Sequence, residues 1–432
     1  MPLCAGVALL LAVTRPPLWR GRGRLLDAAL LLCLLAVAAQ LVPLQASLRE
    51  RLSPHGFAVD RVTALGAEPA IHPPHPLSVD SESTAWALAV GAACIGLFWG
   101  ARAVFSRGGV RSTVRGVAAL GLALTALVLV QRATSPSLLY WTWKPISVNG
   151  NPYGPFVNRN GLATWLAMAV PLVIGYLMAR HHSGHRADGA ALPGDSIDPT
   201  QLWLGAAAMM MTGGLLASMS RAGIIGVAIG LAAFVAFSRR RIGGTSGLAW
   251  LGGGLVAMVA LASTYANLGG LALRLRESTE LGAWGRPAIW RDTWLMAADF
   301  RLTGVGAGAF QRAMLVYQQG PRLFFFNHAH NEYLQLLAEG GVIVAIPAAV
   351  AVLAAAVLMF QRLADDRTAM FWVRAGAISG LIAVAVQSIW DTGLRMPANG
   401  ALFAVIAAIA LHDPRPASRS ADTRERIRRS AS

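Results

Sequence analysis

Long apolar runs dominate this chain, separated by short polar stretches in which arginine recurs. A bilayer-spanning helix needs roughly 20 mostly apolar residues. Runs near 2–14, 25–44, 85–105, 114–131, 161–180, 201–219, 222–238, 246–266, 341–360, 373–390 and 397–411 approach or reach that length. The sequence therefore predicts an all-α fold, a polytopic transmembrane helical bundle of about 11–12 spans. With 55% hydrophobic and only 13% charged residues over 432 positions, the chain is too apolar for a soluble domain of this size. The run at 2–14 is short and stops at Arg15-Pro16-Pro17. No small-residue cleavage site followed by a soluble domain comes after it, so it reads as a weak span and not as a signal peptide.

The formal charge of +16 is spread over short loops between apolar runs and is not gathered on one domain, which argues against a nucleic-acid partner. Its distribution instead orients the bundle. With the C-terminus inside, the inside loops are 15–24, 102–115, 180–199, 238–245, 361–374 and 412–432, and they hold more than half of the 37 basic residues. Arg239-Arg240-Arg241 and the RERIRR run at 424–429 are the strongest markers of this positive-inside pattern. Residues 1–411 are expected to form a single bundle, followed by a polar, basic, disordered cytoplasmic tail at 412–432. Cys4, Cys33 and Cys94 all lie in apolar runs, which implies neither a disulfide framework nor metal-ligand spacing.

Three segments then fall outside: 45–84, 132–160 and 267–340. The first contains IHPPHP at 71–76 and shows no periodicity, so it is expected to be an irregular loop with His72 and His75 in extended backbone. The second, with YWTWKP at 140–145, is rich in aromatic residues that suit either an interfacial belt or a surface for stacking sugar rings. The third is long enough for helices of its own. Pro287 opens a helix over 285–300 whose apolar Ile289, Trp290, Leu295 and Phe300 predict an amphipathic helix at the interface. TGVGAGAF at 303–310 is a glycine-rich turn without the GxxxxGK pattern of a nucleotide loop. The stretch Asn327 to Asn331 supplies caps for a short helix that Gly340-Gly341 are expected to stop.

Three residues stand out chemically. Arg221 lies alone in a tight MSRAG turn between two spans, and a guanidinium at membrane depth needs water, a partner or an anion. Arg286 precedes Pro287 at a helix N-terminus, where free N–H groups and the dipole favour a phosphate. His330 begins a helix, a position that favours the neutral imidazole and suits a general base near neutral pH. A metal site on His328 and His330 would need further ligands, and the HExxH pattern is missing. Apart from Asp27 and Asp391 near span ends, the apolar runs hold no acid, which argues against a proton- or cation-coupled transporter. A polysaccharide or lipid permease would call for paired broken helices or an internal repeat, and no repeat is found.

Four blocks in this order resemble the O-antigen ligase and O-antigen polymerase superfamily of bacterial inner-membrane proteins. They are VNRNGLATWLAMAVPL at 157–172, SRAG at 220–223, GRPAIWRDTWLMAADFRLTGVGAGAF at 285–310 and HAHNEYLQLLAEGG at 328–341, within a core of roughly 155–360. The resemblance implies a helical bundle with a large periplasmic loop, here 267–340. It implies transfer of a glycan from undecaprenyl diphosphate to an acceptor, either lipid A core in a ligase or another lipid-linked glycan in a polymerase. Arg221 and Arg286 would hold the diphosphate, and His330 would be the catalytic base. Asn158, Arg159, Arg291 and Asn331, in the same blocks, are expected to contact substrate. Neither a cofactor nor a metal is expected. Val344 stands where the ligases usually carry a second glycine, a departure that bears on the choice between ligase and polymerase.

Overall fold

The computed structural model describes residues 2–16, 18–19, 21–63, 74–144, 153–187, 198–241, 285–320 and 325–412. The expected span at 246–266, His72, Arg274, Arg276, Arg322 and the tail from 413 lie outside these residues. Each other expected run falls on a helix. In chain order these are α1 (Pro2–Thr14), α2 (Arg24–Ala39), α3 (Ala46–Leu52), α4 (Gly56–Thr63), α5 (Ser81–Phe105), α6 (Val110–Thr134) and α7 (Arg159–Ala187). They continue as α8 (Pro199–Ala217), α9 (Arg221–Ser238), α10 (Arg286–Asp299), α11 (Phe310–Tyr317), α12 (Glu332–Asp365), α13 (Met370–Gln387) and α14 (Pro397–Leu411). The described residues contain no strand, and the fold is all-α and polytopic.

Fewer of the described helices reach spanning length than there are apolar runs, and the run at 246–266 lies outside the described residues. Among the described residues, six helices are long and apolar enough to cross a membrane: α5, α6, α7, α9, α12 and α13. α1 and α14 are apolar but shorter, and α2 ends after 16 residues at the polar Gln40. Apolar composition marked these elements correctly, but their length is set by where the chain must turn.

The bundle packs through small residues. α13 lies between α7 and α9. A Cβ on Gly175 of α7 would stand 2.3 Å from the Trp372 carbonyl oxygen, and one on Gly376 of α13 would stand 2.4 Å from the Pro171 oxygen. On the other side, Gly226 and Gly230 of α9 bring that backbone equally close to Ala383 and Ser379. Apolar side chains gain little by leaving lipid for protein, so close backbone approach supplies the van der Waals attraction that holds such helices together.

A second hydrophobic cluster caps one end of the bundle. Val59 of α4, Ile289, Met296 and Ala297 of α10, and Phe310, Ala313 and Met314 of α11 are buried together with Ala329 and Ala338. The segment 45–84, expected to be irregular, thus contributes α3 and α4 to a packed layer. His75 does take the extended conformation expected of it, pairing with Leu44. α10 also differs from the interfacial helix expected of it. It buries Asp292, Thr293 and Met296 and leaves Leu295 and Trp294 exposed, because its inner face meets α11 and the start of α12.

The glycine-rich turn after α10 is the joint between cap and bundle. As expected, the helical geometry that starts at Glu332 is interrupted at Gly341 (φ 56°, ψ −166°); beyond this kink the chain continues as the membrane-length part of α12 to Asp365. The kink frees two carbonyls, which accept from Val305 N and Gly306 N, both at 3.0 Å. Buried Gln40 at the end of α2 donates to the carbonyls of Thr303 and Glu339 and accepts from Ala307 N. Gly304 has φ +68°, and a Cβ there would stand 2.1 Å from the Glu339 oxygen. A Gly304→Ala protein is expected to lose about 1–3 kcal/mol from strain at this joint. Its melting transition in detergent should fall well below that of a Gly205→Ala control, whose added carbon meets nothing within 4 Å; equal transitions would count against the joint.

Candidate active site

Four helix N-termini meet where the cap sits on the bundle. α7 begins at Arg159, with Asn158 Oδ1 accepting from Gly161 N at 2.8 Å. α9 begins at Arg221, with Ser220 as cap accepting from Gly223 N after a turn in which Met219 has φ 54°. α10 begins at Arg286, followed by Pro287. α12 begins at Glu332 behind His330, and Asn331 Oδ1 accepts from Leu334 N at 3.0 Å. Ser, Asn and Pro occupy these positions because each satisfies, or does without, a backbone N–H that the first helical turn leaves unpaired.

The packing of α13 gathers these ends. Gln387, at its last turn, donates to Thr164 Oγ1 of α7 at 2.8 Å, and the Ser388 carbonyl accepts from Glu332 N at 2.9 Å. Gly223 of α9 packs on Ala163 of α7. Asp391, three residues further along, is buried beside His330, with Oδ1 3.9 Å from the imidazole Nδ1.

Arg159, Arg221 and Arg286 share one electrostatic field. The Arg286 side chain is accessible, yet the protein around it lowers its pKa by desolvation. Asp391 opposes that shift, while Arg159 and Arg221 add to it. None of the three arginines has an ion-pair partner among the described residues. Three exposed guanidinia at three positive helix ends, with the buried Asp391 carboxylate near Arg286, make a local excess of positive charge that suits an anion with several oxygens.

His330 takes the left-handed conformation (φ 52°), uncommon for a residue with a side chain. Its Nδ1 is buried without a hydrogen-bond partner among the described residues, and so is Asp391 Oδ2. A small side-chain rotation would close the 3.9 Å gap and leave Nε2 facing away from Asp391. That arrangement orients an imidazole as a base and stabilises it once protonated.

Behind the base lies a buried polar network. Arg395 Nη1 donates to Glu339 Oε2 at 2.7 Å, and its Nε lies 3.0 Å from Glu332 Oε1. Gln335 Nε2 donates to Glu339 Oε1 at 2.9 Å and faces His328 Nδ1 at 3.3 Å. His328 Nδ1 is then the acceptor and its proton sits on Nε2. Burial, helped by Arg395, pushes the His328 pKa down to about 4, so this imidazole is neutral at physiological pH. It is spent on structure.

The structure brings Arg159, Arg221, Arg286 and His330 together. Asn158 and Asn331 sit at the same place with their carbonyl oxygens occupied as helix caps. Arg291 is elsewhere: it bonds Gln319 Oε1 at 3.1 Å and approaches Asp292 at 3.4 Å on the outer side of α10. Asp391, Glu339, Gln335 and Arg395 were missed as site residues. Glu332, Gln335 and Glu339 are spaced three and four apart, a polar stripe on one helix face that the sequence displays. Asp391 carried the signal of any acid at the end of an apolar run.

Such a molecule is a polytopic membrane protein with a cationic site built from helix ends beside a histidine–carboxylate pair. Residues 206–348 match the O-antigen ligase family model, so this stretch of the chain is similar to that family. The match contains Arg221, Arg286, Arg291, His330 and Asn331, and leaves Arg159 and Asp391 outside it. It supports a glycan-transferring function of the ligase/polymerase type, with a lipid-linked glycan and an acceptor as the general substrate classes. Comparison with curated proteins finds no match.

Proposed function

We propose that this protein transfers a glycan from undecaprenyl diphosphate to a sugar hydroxyl of an acceptor on the periplasmic face of the bacterial inner membrane. The observation that carries this reading is the set of three arginines at helix N-termini, without an ion-pair partner among the described residues, next to His330 and Asp391. His330 Nε2 takes the proton of the acceptor hydroxyl while Asp391 steadies the ring through Nδ1. The hydroxyl oxygen bonds to the anomeric carbon as the bond from that carbon to the diphosphate oxygen breaks. The electron pair leaves with the undecaprenyl diphosphate, whose charge Arg221, Arg286 and Arg159 stabilise. A single displacement of this kind inverts the anomeric centre. Arg291 is excluded from this set by its own partners, and Asn158 and Asn331 serve by shaping the helix ends.

The acceptor is lipid A core or a second lipid-linked glycan, two outcomes that product analysis separates. Purified protein in liposomes, given undecaprenyl-diphosphate-linked glycan and either acceptor, is expected to transfer in the presence of EDTA, because arginines meet the diphosphate charge. A strict requirement for Mg²⁺ or Mn²⁺ would contradict this mechanism.

The side of the membrane is testable separately. α9 runs from Arg221 at the site to Arg239–Arg241 at the other end, where Arg362 and Arg374 also lie against the C-terminus of α14. The basic end belongs in the cytoplasm by charge bias. In a protein lacking Cys4, Cys33 and Cys94, Gln311→Cys in the cap is expected to react with an impermeant maleimide in intact spheroplasts. Arg240→Cys is expected to react only after lysis. The reverse pattern would place His330 on the wrong side for a flipped donor.

A further inference from the structure

The geometry points to Gln335 and Trp290 as a two-sided clamp that positions His330 for the reaction. This inference rests on the proposed role of His330 as the base.

His330 holds a backbone conformation that persists only where the surroundings enforce it. The peptide groups on its N-terminal side show what enforces it here. Ala329, fully buried, donates its N–H to Gln335 Oε1 at 2.9 Å and accepts at its carbonyl from Trp290 Nε1 at 2.9 Å. Ala329 is thus gripped from α12 on one side and from α10 on the other. Cα and the imidazole of His330 follow directly from that fixed peptide.

The orientation of the Gln335 amide is itself determined. Glu339 Oε1 takes its N–H, and Glu339 is held by Arg395, so only the amide oxygen is left to face Ala329. Arg395 lies four residues beyond Asp391, so the chain Arg395–Glu339–Gln335–Ala329 ties the segment carrying the carboxylate to the segment carrying the base. Trp290 lies one turn beyond Arg286 on α10, so its indole ties the base to a helix that presents an arginine to the diphosphate. The clamp therefore sets three distances at once: base to carboxylate, base to donor, and α10 to α12. The side-chain hydrogen bonds of both residues go to the backbone and the network behind His330, which makes them positioning residues.

Trp290→Phe removes the indole N–H with most of the ring retained, and Gln335→Met keeps length and volume while losing the amide's hydrogen bonds to Ala329, Glu339 and His328. Each is expected to lower kcat by roughly 10–10²-fold, the cost of a base displaced by about an ångström. The arginines are untouched, so KM for the lipid-linked donor and the affinity for free undecaprenyl diphosphate should stay within about twofold of wild type. Wild-type kcat in both variants would overturn the clamp. So would a loss of diphosphate affinity parallel to the loss of kcat, because that result would assign the pair to general packing. An active His330→Ala protein would instead remove the base itself, a failure of the underlying mechanism that the two clamp variants do not produce.

Discussion

A His330→Ala protein should insert, fold and bind undecaprenyl diphosphate, yet transfer glycan about 10²–10⁴-fold more slowly, the usual worth of a positioned general base. The imidazole is half-exposed at a helix start and makes no hydrogen bond through Nδ1 among the described residues, so removing it leaves packing intact. What disappears is the acceptor for the hydroxyl proton. Asp391 cannot substitute, because it is buried and stands on the Nδ1 side of the ring, away from the open face. Turnover measured with purified variant in liposomes, beside binding of undecaprenyl diphosphate, separates chemistry from affinity. Near-normal transfer by a well-expressed His330→Ala protein would remove the base from the mechanism.

An Arg221→Lys protein is expected to be nearly as impaired as Arg221→Ala, with transfer reduced about 10²–10³-fold, as when a charge-stabilising donor is lost. Lysine keeps the charge and the helix dipole behind it, but it is a point charge and cannot match two phosphate oxygens with a planar fork. Arg221 has no carboxylate partner among the described residues, so the substitution breaks no internal ion pair that could account for a loss by misfolding. Turnover and undecaprenyl diphosphate affinity measured side by side for the Lys and Ala variants decide the matter. Full activity with lysine would show that only net charge is needed there.

Sequence alone determined the all-α, polytopic class of this protein and singled out the residues proposed for its site. Apolar runs of bilayer length force helices, and arginines in short loops orient them, because both effects depend on local composition. Arg221, Arg286 and His330 were legible for the same local reason, since each stands at a helix start marked by Ser220, Pro287 or Asn331. Only the tertiary structure decided which helix ends meet. α13 carries Gln387, Ser388 and, just beyond it, Asp391 to the starts of α7 and α12, and it does so through glycine contacts among α7, α9 and α13 whose partners are far apart in the chain. Tertiary structure also decided that Arg291 turns to Gln319 and that the carbonyls freed by the break at Gly341 are capped by a glycine-rich turn. A side chain's type follows from the sequence at its own position. Its partner, and with it its role, follows from packing between segments whose separation no local pattern records.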